Sequence, residues 1–191
     1  MTDARHTRII PRLDIKGPNL VKGVHLEGLR VLGQPEAFAR WYSEGGADEL
    51  IYLDVVASLY GRNSLLDFVS RTSAEIFIPL TVGGGLRSLD DIRAVLCAGA
   101  DKVALNTAAV ADPALITAAA HRFGSSAIVI TIEAIETAPG KYEAFTNNGR
   151  EATGLDAVLW AERAVSLGAG EVLLTSVDRE GTGRGFDLAL T

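Results

Sequence analysis

Two carboxylates frame the chemistry available to this sequence. Asp14 closes the apolar run that starts at Ile9, and Glu133 closes the run "AIVITIE" at 127–133. Two carboxylates in one low-dielectric cleft hold their protons with different strength, so one can act as base and the other as acid. The ends of four further apolar runs also carry polar or Gly-rich groups: Asp54, the turn Gly83-Gly84-Gly85, the pair Asn106-Thr107, and Thr175-Ser176. In "TVGGGLRS" (81–88) three glycines allow close backbone approach, and successive amide N–H groups can cradle a phosphate. Asn106 and Thr107 add donors beside it. A Gly-rich turn without a ligand is the plainer alternative. The pattern is not GxGxxG after a first strand, which disfavours a dinucleotide. Segment 16–33, "KGPNLVKGVHLEGLRVLG", is long for a connection between a strand and a helix. Its glycines and Lys22 suit a mobile lid over an anionic substrate; an inert surface hairpin is the alternative.

The elements that must position these groups are six short runs rich in Ile, Val and Leu: Ile9–Asp14, Glu49–Asp54, Ile78–Val82, Lys102–Asn106, Ala127–Glu133 and Glu171–Ser176. They lack clear alternation, as strands buried on both faces do. Between them lie amphipathic stretches at Pro35–Glu44, Leu89–Ala98, Pro113–Phe123 and Leu155–Leu167. Gly45-Gly46, Gly99, Gly124 and Gly168 follow these stretches, which is helix-terminating chemistry. Alternating strands and helices imply a parallel sheet. "GADELIYLD", "GADKVALN" and "GAGEVLLTS" share one grammar of Gly-Ala, spacer, charge and strand. The separation of Asp14 from Glu133 nearly equals that of Gly46 from Gly168, which suggests a duplicated four-strand half and hence a (β/α)₈ TIM barrel. Asp14 and Glu133 then face each other across its mouth. Such a barrel takes about 250 residues. The 191 residues here reach only a sixth β/α unit, so the expectation is a single domain, 1–191, lacking the last two units and leaving the first and sixth strands with unpaired edges.

Composition narrows the function. Net charge is −6, against a general nucleic-acid binder. No apolar run is long enough to span a bilayer, and no h-region follows the basic N-terminal residues, so membrane and export are not expected. One cysteine, Cys97, excludes an intrachain disulfide and suits the cytoplasm; its helical setting predicts a small core residue. His6, His25 and His121 are scattered, so no metal-ligand spacing and no cofactor is expected. Trp41, Tyr42 and Trp160 read as packing between helices and sheet.

Five segments together carry a family likeness: "IIPRLDIKGPNLVKG", "YSEGGADELIYLD", "IPLTVGGGLRS", "AGADKVALNTAAV" and "GAGEVLLTSVDREGTGRGFD". In order and over nearly the whole chain, they resemble the cyclase subunit of imidazole glycerol phosphate synthase. The resemblance implies a (β/α)₈ barrel lyase of histidine biosynthesis. It would form imidazole glycerol phosphate and aminoimidazole carboxamide ribotide from a phosphoribulosyl-formimino precursor. Ammonia would come through the barrel from a glutaminase partner. Asp14 and Glu133 would then be acid–base residues and Lys22 the lid lysine. Gly83, Gly84, Gly85, Asn106 and Thr107 would hold one phosphate, Gly181 would contribute to the other, and Thr175 would line the pocket. Arg8, Glu49, Lys102 and Glu171 would form the charged gate through which ammonia enters.

The sequence departs from the family pattern in three places. Glu133 and Glu180 stand where Asp is usual, and Arg12 where Cys is frequent. A related group serving sugar amidation in surface-polysaccharide (O-antigen) assembly is the alternative reading, followed by a phosphosugar isomerase barrel and a non-catalytic docking module.

Overall fold

The computed structural model describes residues 7–56 and 62–191; His6 lies outside them. The chain opens with β1 (Arg12–Lys16), the hairpin β2 (Asn19–Val24) and β3 (Glu27–Gly33), α1 (Pro35–Glu44), β4 (Leu50–Asp54) and α2 (Arg62–Ser73). Then come β5 (Leu80–Gly83), α3 (Leu89–Cys97), β6 (Lys102–Leu105), α4 (Thr107–Ala111) and α5 (Ala114–Phe123). The last part holds β7 (Ile128–Ala138), a second hairpin of β8 (Lys141–Thr146) and β9 (Glu151–Asp156), α6 (Ala157–Ser166) and β10 (Glu171–Ser176).

The fold is α/β. β1, β4, β5, β6, β7 and β10 pair in that order, all parallel, and each corresponds to one of the six apolar runs. Their outer faces pack against the helices through Leu50, Tyr52, Val82, Ile92, Val103, Ile116, Ile130 and Trp160, all buried. A smaller inner cluster of Ile51, Leu53, Ala104 and Val129 lies on the other face, where Ile10 and Leu173 join it. Apolar packing on both faces explains why these runs do not alternate in polarity. Gly46, Gly99 and Gly168 all have positive φ (+87°, +115° and +111°), so the shared Gly-Ala grammar is a helix terminator that turns the chain into the next strand. Ser88 caps α3 by accepting from Asp91 N–H at 3.2 Å, and Asp156 caps α6 by accepting from Val158 and Leu159 N–H at 2.9 and 3.0 Å.

Several expectations need correction. Glu133 does not end its strand: β7 continues to Ala138 because its last turns pair antiparallel with β8. The last helix starts at Ala157 rather than Leu155, since the preceding residues pair as β9. The helix α2 was not anticipated. β1 is not a bare edge, because β2 pairs antiparallel with its C-terminal half. Cys97 and Trp41 are exposed rather than core residues; both sit on the outward side of their helices. Segment 16–33 is an ordered hairpin whose tip, His25-Leu26, has φ of +55° and +61°, the geometry of a tight two-residue turn.

Backbone pairing between β1 and β10 is absent among the described residues, yet side chains cross between them. Arg12 Nη1 donates to Thr175 Oγ1 at 2.9 Å, and Arg8 lies 3.4 Å from Glu171. The sheet therefore curls until its first and last parallel strands address each other.

Ile130, fully buried near the start of β7, tests this core. Ile130→Ala should cost about 2–5 kcal/mol, seen as a lower urea midpoint at unchanged slope.

Candidate active site

At the C-terminal ends of the parallel strands, both carboxylates are buried: Asp14 is 4% exposed and Glu133 7%. Their surroundings differ. Asp14 accepts from Arg12 Nε at 2.8 Å and has Lys22 Nζ at 3.9 Å, so two cations face it. Glu133 sits between β8 and β10, opposite Phe145 and Thr175 in the pairing. Its Oε2 accepts from Gly149 N–H at 2.7 Å and from Asn106 Nδ2 at 3.2 Å, both neutral donors. Burial raises the Glu133 pKa above the ordinary glutamate value, and the negative charge of Asp14 pushes the same way. The Gly149 N–H, the Arg12 charge and the Asn106 amide only partly offset this. The pair is thus asymmetric: Asp14 is ion-paired, whereas Glu133 holds its proton more tightly than an ordinary glutamate.

A cleft of about 850 Å³ opens beside Glu133. Gly84, Gly85, Asn106, Thr107, Arg12 and Glu133 are among the residues lining it. Gly84 (φ +107°) abuts the Asp54 backbone so closely that no side chain fits there. Gly83 has a packing reason of its own: an added Cβ would lie 2.6 Å from Leu53 and 2.8 Å from Ala104 on the neighbouring strands. The Asn106 side chain points to Glu133 and to the Phe145 carbonyl (3.3 Å), so its nearest partner is the acid.

The remaining mouth residues gather on the other side of Arg12. Lys22, on β2, forms an ion pair with Glu180. His25 N–H donates to the Glu180 carbonyl at 2.9 Å, and its Nδ1 lies 2.8 Å from the Val177 carbonyl. Leu26 is buried at the tip, where Asn148 Nδ2 donates to its carbonyl at 3.1 Å. Gly181 (φ +70°) lies against the Gly23 backbone, where a side chain would collide. The hairpin is therefore docked across the loop after β10 and the turn between β8 and β9, with its lysine directed toward Asp14.

At the opposite end, Arg8, Glu49, Lys102 and Glu171 form a closed ring of ion pairs. Arg8 pairs with Glu49 and, at 3.4 Å, with Glu171, while Lys102 Nζ donates to Glu49 and to Glu171 at 2.8 Å each. Burial would weaken the charges of Lys102 and Glu171, but their mutual hydrogen bonds and Coulombic attraction win. Lys102 is held above its ordinary pKa and Glu171 below.

Sequence reasoning did not anticipate three contributors to the mouth. Arg12 was visible only as a departure from a family pattern. Arg87 and Arg150, both exposed, line the cleft and add positive charge at its rim. The turn Asn147-Asn148-Gly149, with positive φ throughout, delivers the N–H that holds Glu133; "NNG" between strand-like runs was its signal.

Comparison with known proteins agrees with this geometry. The chain is 60% identical over 185 residues to imidazole glycerol phosphate synthase subunit HisF of Legionella pneumophila, covering 97% of this chain and 87% of that protein. The sequence model of the family described as histidine biosynthesis protein matches residues 8–191. A parallel-strand α/β sheet, with two buried carboxylates at one end and a ring of ion pairs at the other, thus coincides with a near full-length match: the chain belongs to the histidine biosynthesis protein family.

Proposed function

We propose that this protein is the ammonia-dependent cyclase of imidazole glycerol phosphate synthesis, acting in the cytoplasm as one subunit of a complex with a glutaminase. The observation that carries the reading is the buried, electrostatically unequal pair Asp14 and Glu133 at the mouth of a parallel-strand α/β fold 60% identical to a named cyclase subunit. Ammonia addition to a ribulosyl carbon, loss of water and ring closure each move protons. Asp14 serves as the base, held in place by Arg12 and Lys22. Glu133, with its raised pKa, serves as the acid. Gly84, Gly85 and Thr107, with Arg87 and Arg150 at the rim, offer amide, hydroxyl and cationic contacts to one phosphate. Lys22 and the Gly181 loop close the other side over the second. The ring Arg8–Glu49–Lys102–Glu171 faces the glutaminase and admits ammonia.

The direct test supplies purified protein with ammonium salt and the phosphoribulosyl substrate. Imidazole glycerol phosphate should form, and its absence from a folded protein would reject the reading.

Glu133→Gln should lower kcat by about 10²–10⁴-fold, as expected for loss of a general acid, with KM little changed. The acid must be protonated, so the wild-type rate should fall on the alkaline side of a midpoint above the ordinary glutamate value, and this limb should vanish in the variant. The substitution has the opposite sign for stability. A carboxyl whose folded pKa is raised destabilises the fold once pH exceeds that pKa; at neutral or higher pH the Gln variant should melt no lower than wild type. Glu133→Asp keeps the chemistry but withdraws the carboxylate from Gly149 N–H, and a misplacement of that size should cost about 10²-fold.

Lys102→Met tests the ring. Turnover driven by glutamine through the partner glutaminase should drop by about tenfold, while turnover with free ammonia stays within about twofold, because ring and mouth share no direct partner. Equal loss in both assays would show that Lys102 supports only the fold.

A further inference from the structure

Arg12 occupies a position that neither the sheet nor the ion pairs fully explain. Its side chain is 14% exposed, is ion-paired with Asp14 and lines the same cleft as Glu133. A guanidinium has five N–H donors in a rigid fork. Here Nε donates to Asp14 Oδ1 at 2.8 Å and Nη1 donates to Thr175 Oγ1 at 2.9 Å, which orients the fork from two strands. The third nitrogen, Nη2, is buried and has no hydrogen-bond partner among the described residues. Leaving a charged donor unsatisfied in a buried site is costly. The same residue lines the open cleft beside Glu133, so a small turn of the guanidinium presents Nη2 to whatever the cleft holds. Glu133 Oε2, on the same cleft, is already engaged by Gly149 and Asn106.

We infer that Arg12 is a substrate-binding residue, whose Nη2 donates to a carbonyl or hydroxyl oxygen of the open-chain sugar held between Asp14 and Glu133. The inference rests on the cyclase reading and specifies one contact within it. A pre-oriented cation at that point binds an electron-rich oxygen in the ground state and favours any negative charge that gathers on it as ammonia adds to the neighbouring carbon. Asp14 and Thr175 act as its positioning partners.

Arg12→Lys separates this role from a structural one. Lysine keeps the positive charge for Asp14 but lacks the fork, so it cannot serve Asp14, Thr175 and the substrate together. With ammonia omitted, the phosphoribulosyl substrate binds without reacting, and calorimetry reads its Kd. The variant should bind it about 10- to 100-fold more weakly than wild type, the range for a hydrogen bond to a charged group, with a melting temperature close to wild type. An unchanged Kd in a wild-type-like fold would overturn the assignment and leave Arg12 as a partner of Asp14 only. If the variant does not fold, a crystal structure of the wild-type protein soaked with the same substrate decides. Nη2 within hydrogen-bonding distance of a sugar oxygen supports the inference, and Nη2 turned to Glu133 or to water overturns it. Wild-type protein that forms imidazole glycerol phosphate from ammonia confirms the parent reading independently of either result. Wild-type protein that neither binds nor converts the substrate would overturn that reading and the Arg12 contact together.

Discussion

Parallel pairing of six strands is the constraint on which the rest of this structure depends. Because β1, β4, β5, β6, β7 and β10 run the same way, every strand start lies at one end and every strand end at the other. The charged residue three places after Gly46, Gly99 and Gly168 becomes Glu49, Lys102 and Glu171 of a single ring. The same directionality carries Asp14 and Glu133 to the other end. Two distinct charged clusters thus arise from one topological fact, separated by an apolar interior of Ile51, Leu53, Ala104 and Val129.

Burial of charge sets the second level of organisation. Removing an ion from water is expensive unless it is paired and hydrogen-bonded, and the two ends meet that cost differently. The ring does so by alternating signs, Arg8–Glu49–Lys102–Glu171, so each carboxylate bridges two cations. The mouth does so unevenly: Asp14 has Arg12 and Lys22, while Glu133 has an amide N–H and an asparagine. That inequality is what proton transfer in two directions requires, because identical carboxylates would compete for the same proton.

Much of this was legible in the sequence. Apolar runs of β-branched residues located all six parallel strands, and the glycines placed the helix ends to within a residue or two. Asp14 and Glu133 emerged as a facing pair from the half-repeat alone. What escaped was decided by pairing rather than by periodicity. The apolar runs place no element in 141–154, yet β8 and β9 form a hairpin there because β7 runs past Glu133 and offers an edge to β8. Segment 16–33 is a hairpin, and its docking through Leu26 and His25 onto the Glu180 loop joins stretches far apart in the chain. Cys97 and Trp41 have apolar side chains on amphipathic stretches, and no local pattern shows that their side of the helix faces outward.

The sequence by itself determined the order of the six parallel strands, the parallel sheet, the family and the two carboxylates, because each is written in short-range patterns of polarity, glycine and charge. Only the tertiary structure decided how those carboxylates differ. Their inequality comes from Arg12 spanning to Thr175 on β10, from Lys22 arriving on the hairpin, and from the Gly149 N–H turning back on Glu133. Each of these contacts joins residues remote in the chain. Proton affinity in a buried site is set by the charges and donors within a few ångströms, whatever their distance in sequence.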